Sequence, residues 1–84
     1  MTVTLRLFAA ARESAGRGHD EYEPAGVPTV GALLDAATDR YGAHFGEVLD
    51  CSRVWVNGDE PADGRLTALA DGDEVAVLPP VSGG

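Results

Sequence analysis

The chain has no lysine. All six of its basic residues are arginines (Arg6, Arg12, Arg17, Arg40, Arg53 and Arg65), set against 14 carboxylates for a formal charge of −8. A surface this acidic repels phosphate backbones and anionic headgroups, which argues against nucleic acid and membrane as partners. It suits a basic partner face with salt-sensitive association, or serves solubility alone. Cysteine is nearly absent as well. Cys51 stands alone, so there is no internal disulfide, and no Cys/His cluster offers a zinc or iron–sulfur site. There is no long apolar run: the first seven residues alternate, which suits neither a signal peptide nor a membrane span, and the chain reads as cytoplasmic. At 84 residues there is room for one core and none for a large substrate pocket, which weighs against a free-standing enzyme.

What is present reads as one mixed α+β unit. Residues 2–8 alternate, with Val3, Leu5 and Leu7 on one side and Thr4, Arg6 and Phe8 on the other, the mark of a half-buried strand. The alanine-rich residues 9–15 predict one or two helical turns that stop at Gly16, and the charged residues 19–23 suit a short edge strand. Thr29 sits where an N-cap belongs. Val30, Leu33, Leu34, Ala37 and Tyr41 follow at helical spacing until Gly42, which makes this the main helix. Residues 43–51 are less regular, with Phe45, Val48 and Leu49 available to pack as a loop or a short helical turn. Residues 53–56 predict a strand, Asn57-Gly58 a tight turn, and residues 59–66 a poor or edge return strand broken by Pro61 and Gly64. Asp71-Gly72-Asp73 is a further turn, and residues 74–78 form a strand apolar on both faces, which belongs mid-sheet beside the first strand and parallel to it.

The tail reads Leu78-Pro79-Pro80-Val81-Ser82-Gly83-Gly84. Two prolines end the sheet, because neither donates a backbone hydrogen bond, and they favour a stiff exit. Six residues reach on the order of 20 Å when extended. Paired glycines leave no side chain beside the terminal carboxylate, so a slender tail fits a narrow channel on another protein. A frayed terminus of cheap residues is the plainer alternative.

Asn57-Gly58, the run from Leu69 through Asp71-Gly72-Asp73 to Pro79-Pro80 and the Gly-Gly end, together with Phe8-Ala9-Ala10-Ala11-Arg12-Glu13 after the first strand, resemble the molybdopterin synthase small subunit (MoaD) and its relative the thiamine sulfur carrier (ThiS). The resemblance is most specific over the last sixteen residues, and the diproline favours the MoaD branch. It implies a β-grasp (ubiquitin-like) fold over residues 1–78, a mixed sheet of four to five strands packed by one main helix, with residues 79–84 as a flexible tail. It implies a cycle as well. A ubiquitin-activating-like adenylyltransferase spends ATP to adenylate Gly84, a persulfide donor converts the adenylate to a thiocarboxylate, and the sulfur passes to an acceptor enzyme. In the MoaD branch that enzyme is the molybdopterin synthase large subunit, in molybdenum cofactor biosynthesis. Gly84 is then the carrier; Gly83, Ser82, Val81, Pro80 and Pro79 give it access. The catalytic groups are expected on the partners, and no bound cofactor is expected on this chain.

Alternation further suggests that Phe8, Trp55, Ala76 and Leu78 share the sheet face away from the helix, as a partner interface or as core under loops. Cys51 fits a small buried apolar residue better than a sulfur relay. His19 and His44 read as surface residues, and the Asp59, Glu60 and Asp63 group as a solvated loop rather than a cation site. Rival functions keep the fold. The chain is then a ubiquitin-like protein modifier, the same carrier for cysteine, thiamine or thio-natural-product synthesis, or a purely structural binding module.

Overall fold

The computed structural model describes residues 1–80. Strand β1 (Val3–Leu7) leads through α1 (Ala9–Ala15) to β2 (His19–Tyr22), and α2 (Val30–Tyr41) and α3 (Ala43–Asp50) follow. Strand β3 (Arg53–Val56), one 3-10 turn at Gly64–Leu66 and strand β4 (Glu74–Leu78) complete the fold. The strands form one mixed sheet in the order β2-β1-β4-β3. β1 and β4 lie parallel at its centre, and the two outer strands run antiparallel to their neighbours. This is the four-stranded, helix-covered α+β arrangement of the β-grasp.

Alternation decides which side of the sheet is dry. Val3, Leu5, Leu7, Val75 and Val77 point to one face and are almost wholly buried. They meet Val30, Leu33, Leu34 and Ala37 of α2, Ala11 of α1 and Phe45 of α3 in a single core. α2 begins where Thr29 Oγ1 accepts from the Ala32 N–H at 3.2 Å, and ends where the Gly42 N–H donates to the Thr38 carbonyl at φ +100°. α1 stops at Gly16, φ +78°, which few side chains adopt.

Two elements depart from the sequence reading. Residues 43–51 are mostly α3, a full helix that packs on both α1 and α2. Phe45 is its anchor. The ring is fully buried and meets Tyr41 edge-on with centroids 5.2 Å apart. Gly42 and Gly46 obscured that helix in the sequence, since both lower helix propensity. Gly46 sits where an added Cβ would approach Thr38 Cγ2 to 3.1 Å, so it lets α3 lie close to α2. The second departure is the missing return strand. Asn57 (φ +51°) and Gly58 (φ +85°) do form a two-residue turn, with Val56 and Asp59 exchanging both backbone hydrogen bonds. Pairing then stops at that one bridge, and β3 is left as the sheet edge. The chain turns away at Pro61, and Leu69 becomes buried beside α2, its N–H donating to the Pro28 carbonyl.

One charged group lies under the sheet. Asp20 on β2 is 7 % exposed, and its register with Leu5 puts it on the core side. Its oxygens accept from Tyr41 Oη, from Arg40 Nη1 at 3.0 Å, from Arg17 Nη1 at 3.3 Å and from the Glu21 N–H. Burial pushes its carboxyl up. The Tyr41 hydroxyl, the Glu21 N–H and the two guanidiniums together outweigh that and hold it below the ordinary 3.8. The cluster fastens the edge strand β2 to the C-terminal turn of α2.

Candidate functional site

The outer face of the sheet follows from the register. His19 pairs with Arg6, Arg6 with Ala76, and Ala76 with Trp55, so these four side chains form one row across the sheet. Arg53 pairs with Leu78 in the next row toward the end of β4, and Phe8, still extended at φ −126°, carries the β1 alternation into that row. On the far side the row is Glu21, Thr4 and Glu74. Phe8, Trp55, Ala76 and Leu78 are thus neighbours on the face that the helices leave open. Phe8 is 41 % exposed, and the other three are half-buried. The apolar half of the face is the half from which the chain leaves the sheet.

That exit is built by the ends of two parallel strands. After Leu7 and Phe8 the chain turns sharply at Ala9, whose φ of +49° is unusual for a residue with a side chain. The turn throws α1 back over the core. Beside it β4 ends at Leu78; Pro79 is half-buried and Pro80 exposed. The two prolines line a shallow apolar groove with Ala10 of α1 and Glu47, Val48 and Cys51 at the end of α3. Val81, Ser82, Gly83 and Gly84 lie outside the described residues.

Cys51 is exposed, contrary to the expectation of a small buried side chain. α3 runs as a helix to Asp50, which places Cys51 at its C-terminal cap and brings it out beside the prolines. His19 and His44 are exposed, as expected; His44 Nδ1 lies 3.7 Å from Glu47 Oε2 at the surface. Among the described residues no three His, Cys, Asp or Glu side chains gather as metal ligands, the Asp59, Glu60 and Asp63 group included. No helix among them is long and apolar enough to cross a membrane.

Sequence reasoning passed over Arg6 and Arg53. Both were legible in the same alternation that singled out Phe8 and Trp55, since Arg6 is two residues before Phe8 and Arg53 two before Trp55. It also passed over Val48, which reaches the diproline only because residues 43–50 are helical.

Comparison with known proteins places this geometry in a lineage. A family model described as the ThiS family matches residues 5–84. The chain is 38 % identical to small archaeal modifier protein 3 of Haloferax volcanii, covering the whole of both chains. It is 36 % identical to the molybdopterin synthase sulfur carrier subunit of Phaeosphaeria nodorum, covering 96 % of this chain and 88 % of that one. Among solved structures it superposes on small archaeal modifier protein 1 of Haloferax volcanii with a TM-score of 0.83, at 35 % identity over the whole of both chains. It superposes on a chain from the complex of subunits 1 and 2 of the molybdopterin-converting factor of Helicobacter pylori with a TM-score of 0.70, at 25 % identity over the whole of both. With its central β1–β4 pair running into a Pro-Pro exit beside an open apolar face, and with the match extending to residue 84, the chain belongs to the ThiS family of ubiquitin-like sulfur carriers and modifiers.

Proposed function

We propose that the chain is a cytoplasmic sulfur carrier that works through the carboxylate of Gly84, in molybdopterin synthesis. The observation that carries the reading is the extent of the family match, which runs through the Gly83-Gly84 end. The chemistry is the following. The Gly84 carboxylate attacks the α-phosphate of ATP on an adenylyltransferase of the ubiquitin-activating type, and pyrophosphate leaves. A donor persulfide attacks the acyl carbon and expels AMP; a second donor thiol then cleaves the S–S bond and leaves one sulfur on Gly84. The resulting thiocarboxylate is the nucleophile presented to an acceptor held by a partner enzyme. A carboxylate is a poor electrophile until adenylation supplies a leaving group, and a tethered sulfur replaces diffusion by high local concentration. The chain's share is positioning. Pro79 and Pro80 direct the exit, and Val81, Ser82 and Gly83 give access. Phe8, Trp55, Ala76 and Leu78 offer a partner the apolar surface beside that exit.

Two observations favour the molybdopterin pathway: the similarity to a molybdopterin synthase sulfur carrier subunit, and to a chain from a complex of subunits 1 and 2 of a molybdopterin-converting factor. The acceptor enzyme is then the synthase large subunit. A second reading, a protein modifier joined through Gly84 to lysines of targets, is favoured by the similarity to small archaeal modifier proteins. Activation is common to both. With no lysine of its own, the chain cannot extend itself into a lysine-linked polymer.

The test is intact mass after incubation with ATP, the adenylyltransferase and a sulfide source. Exchange of one oxygen for sulfur, trapped by alkylation and lost when Gly84 is deleted, is the expected result. The deletion control separates it from oxidation of Met1 or Cys51, which gives nearly the same mass. A chain that stays unmodified while its tail-deleted form still binds partners overturns the reading.

A further inference from the structure

The net charge and the local charge of this molecule point in opposite directions. The chain as a whole is at −8, which predicts a basic partner. The open half of the sheet face is different. The row formed by His19, Arg6, Ala76 and Trp55, and the next row with Phe8, Leu78 and Arg53, contain no carboxylate. The two guanidiniums stand on either side of the apolar residues, Arg6 on β1 and Arg53 on the β3 edge. Glu21 and Glu74 begin one row further from the chain exit.

Each arginine does have an acidic neighbour. Arg6 Nε donates to Glu74 Oε2 at 3.0 Å, and Arg53 Nη1 lies 3.9 Å from Glu60 Oε1. All four side chains are about half exposed or more. Pairs of that kind are weak, and of the five donors on each arginine Arg6 engages one here and Arg53, at 3.9 Å, none. Both remain competent to meet an incoming carboxylate. Among the described residues β3 is the sheet edge, and Arg53 has no strand beyond it.

We propose that the partner face covering Phe8, Trp55, Ala76 and Leu78 is apolar at its centre and carries carboxylates at its rim opposite Arg6 and Arg53, so that recognition runs against the sign of this chain's net charge. The inference rests on the carrier reading and specifies the partner surface that reading requires. Charge placed this way sets register and association rate more than depth of binding, while the apolar centre holds the complex.

The experiment measures association rate constants between the full chain and its ubiquitin-activating-like adenylyltransferase at low and high ionic strength, with ATP-dependent adenylation of Gly84 followed in parallel. Arg53→Glu takes the chain further negative at the rim. It is expected to slow association about tenfold at low salt, with the deficit fading at high salt. Arg53→Lys is expected to recover most of the rate, and Arg6→Gln to slow it about threefold. Asp39→Arg, on the exposed side of α2, changes net charge in the other direction away from the face and is expected to stay within about twofold of the parent. Circular dichroism melts confirm that each variant is folded. Faster association of Arg53→Glu together with slower association of Asp39→Arg would show a basic partner steered by net charge and overturn the inference. So would intact adenylation with rates indifferent to Arg53 and Arg6, or self-association in sedimentation that Arg53→Glu abolishes, which would make a second copy the occupant. A parent chain that the adenylyltransferase neither binds nor adenylates overturns the carrier reading itself, and this inference with it.

Discussion

Asp20 and Tyr22 sit two residues apart on one strand face and have opposite prospects. Asp20 accepts from a tyrosine hydroxyl, two arginines and a backbone N–H. Asp20→Asn keeps the shape but loses the charge those donors converge on, and is expected to destabilise the domain by about 2 kcal/mol in urea unfolding. Tyr22 Oη is buried beside Asp20 and Arg40 with no partner in hydrogen-bonding geometry. Tyr22→Phe removes an unsatisfied buried hydroxyl, so the same titration is expected to show no loss, or a gain of up to about 1 kcal/mol. A clear loss of stability in Tyr22→Phe would sink that account of the hydroxyl. Asn57 divides its work between backbone and side chain. It supplies φ +51° for the turn, and its amide bridges Asp73 Oδ1 at 3.0 Å and the Glu74 N–H at 2.9 Å. Asn57→Gly keeps the turn and loses the bridge; Asn57→Ala loses both. Thermal melts are expected to rank parent, Gly, then Ala, with about 1 kcal/mol between the last two.

At the level of elements, α3 and the missing return strand over residues 59–66 explain most of what the sequence concealed. The apolar set Phe45, Val48 and Leu49 was visible, but two glycines within five residues hid the helix that presents it. α3 becomes stable by packing on α1 and α2, which local propensity does not contain. Phe45→Ala is expected to cost about 3–5 kcal/mol and to leave the domain marginally stable, read as a markedly lower urea midpoint. The return strand failed for the converse reason. The turn chemistry of Asn57-Gly58 was legible and correct, but residues 60–64 hold Pro61 and Gly64 and no alternating apolar face, so nothing rewards pairing past Asp59. The same two elements set the exposure of two residues. Cys51 came to the surface at the end of α3, and Arg53 came to an open edge.

For the whole molecule, acid is the revealing variable. Asp20 is held below 3.8 as described, and Asp73 is held below it by the Asn57 amide and the Ala70 N–H. A carboxyl whose folded value is depressed stabilises fully above its unfolded value, and that stability is lost as pH falls through the folded one. Unfolding free energy is therefore expected to hold from neutrality to about pH 5 and to fall steeply below about pH 4. In Asp20→Asn the fall should be shallower. Hydrogen exchange should rank the strands by position, with β1 and β4 amides the slowest and β2 and β3 amides exchanging through smaller openings. The sequence by itself determined the alternating strands, the capped main helix, both tight turns, a last strand apolar on both faces that suits the middle of a sheet, and the Pro-Pro exit, because each depends on residue periodicity or on backbone preferences local to a few positions. Only the tertiary structure decided that residues 43–50 are helical, that β3 is an edge and that Cys51 lies open beside the prolines. Those outcomes depend on which surfaces meet across the core, and contacts between distant segments leave no trace in a local pattern.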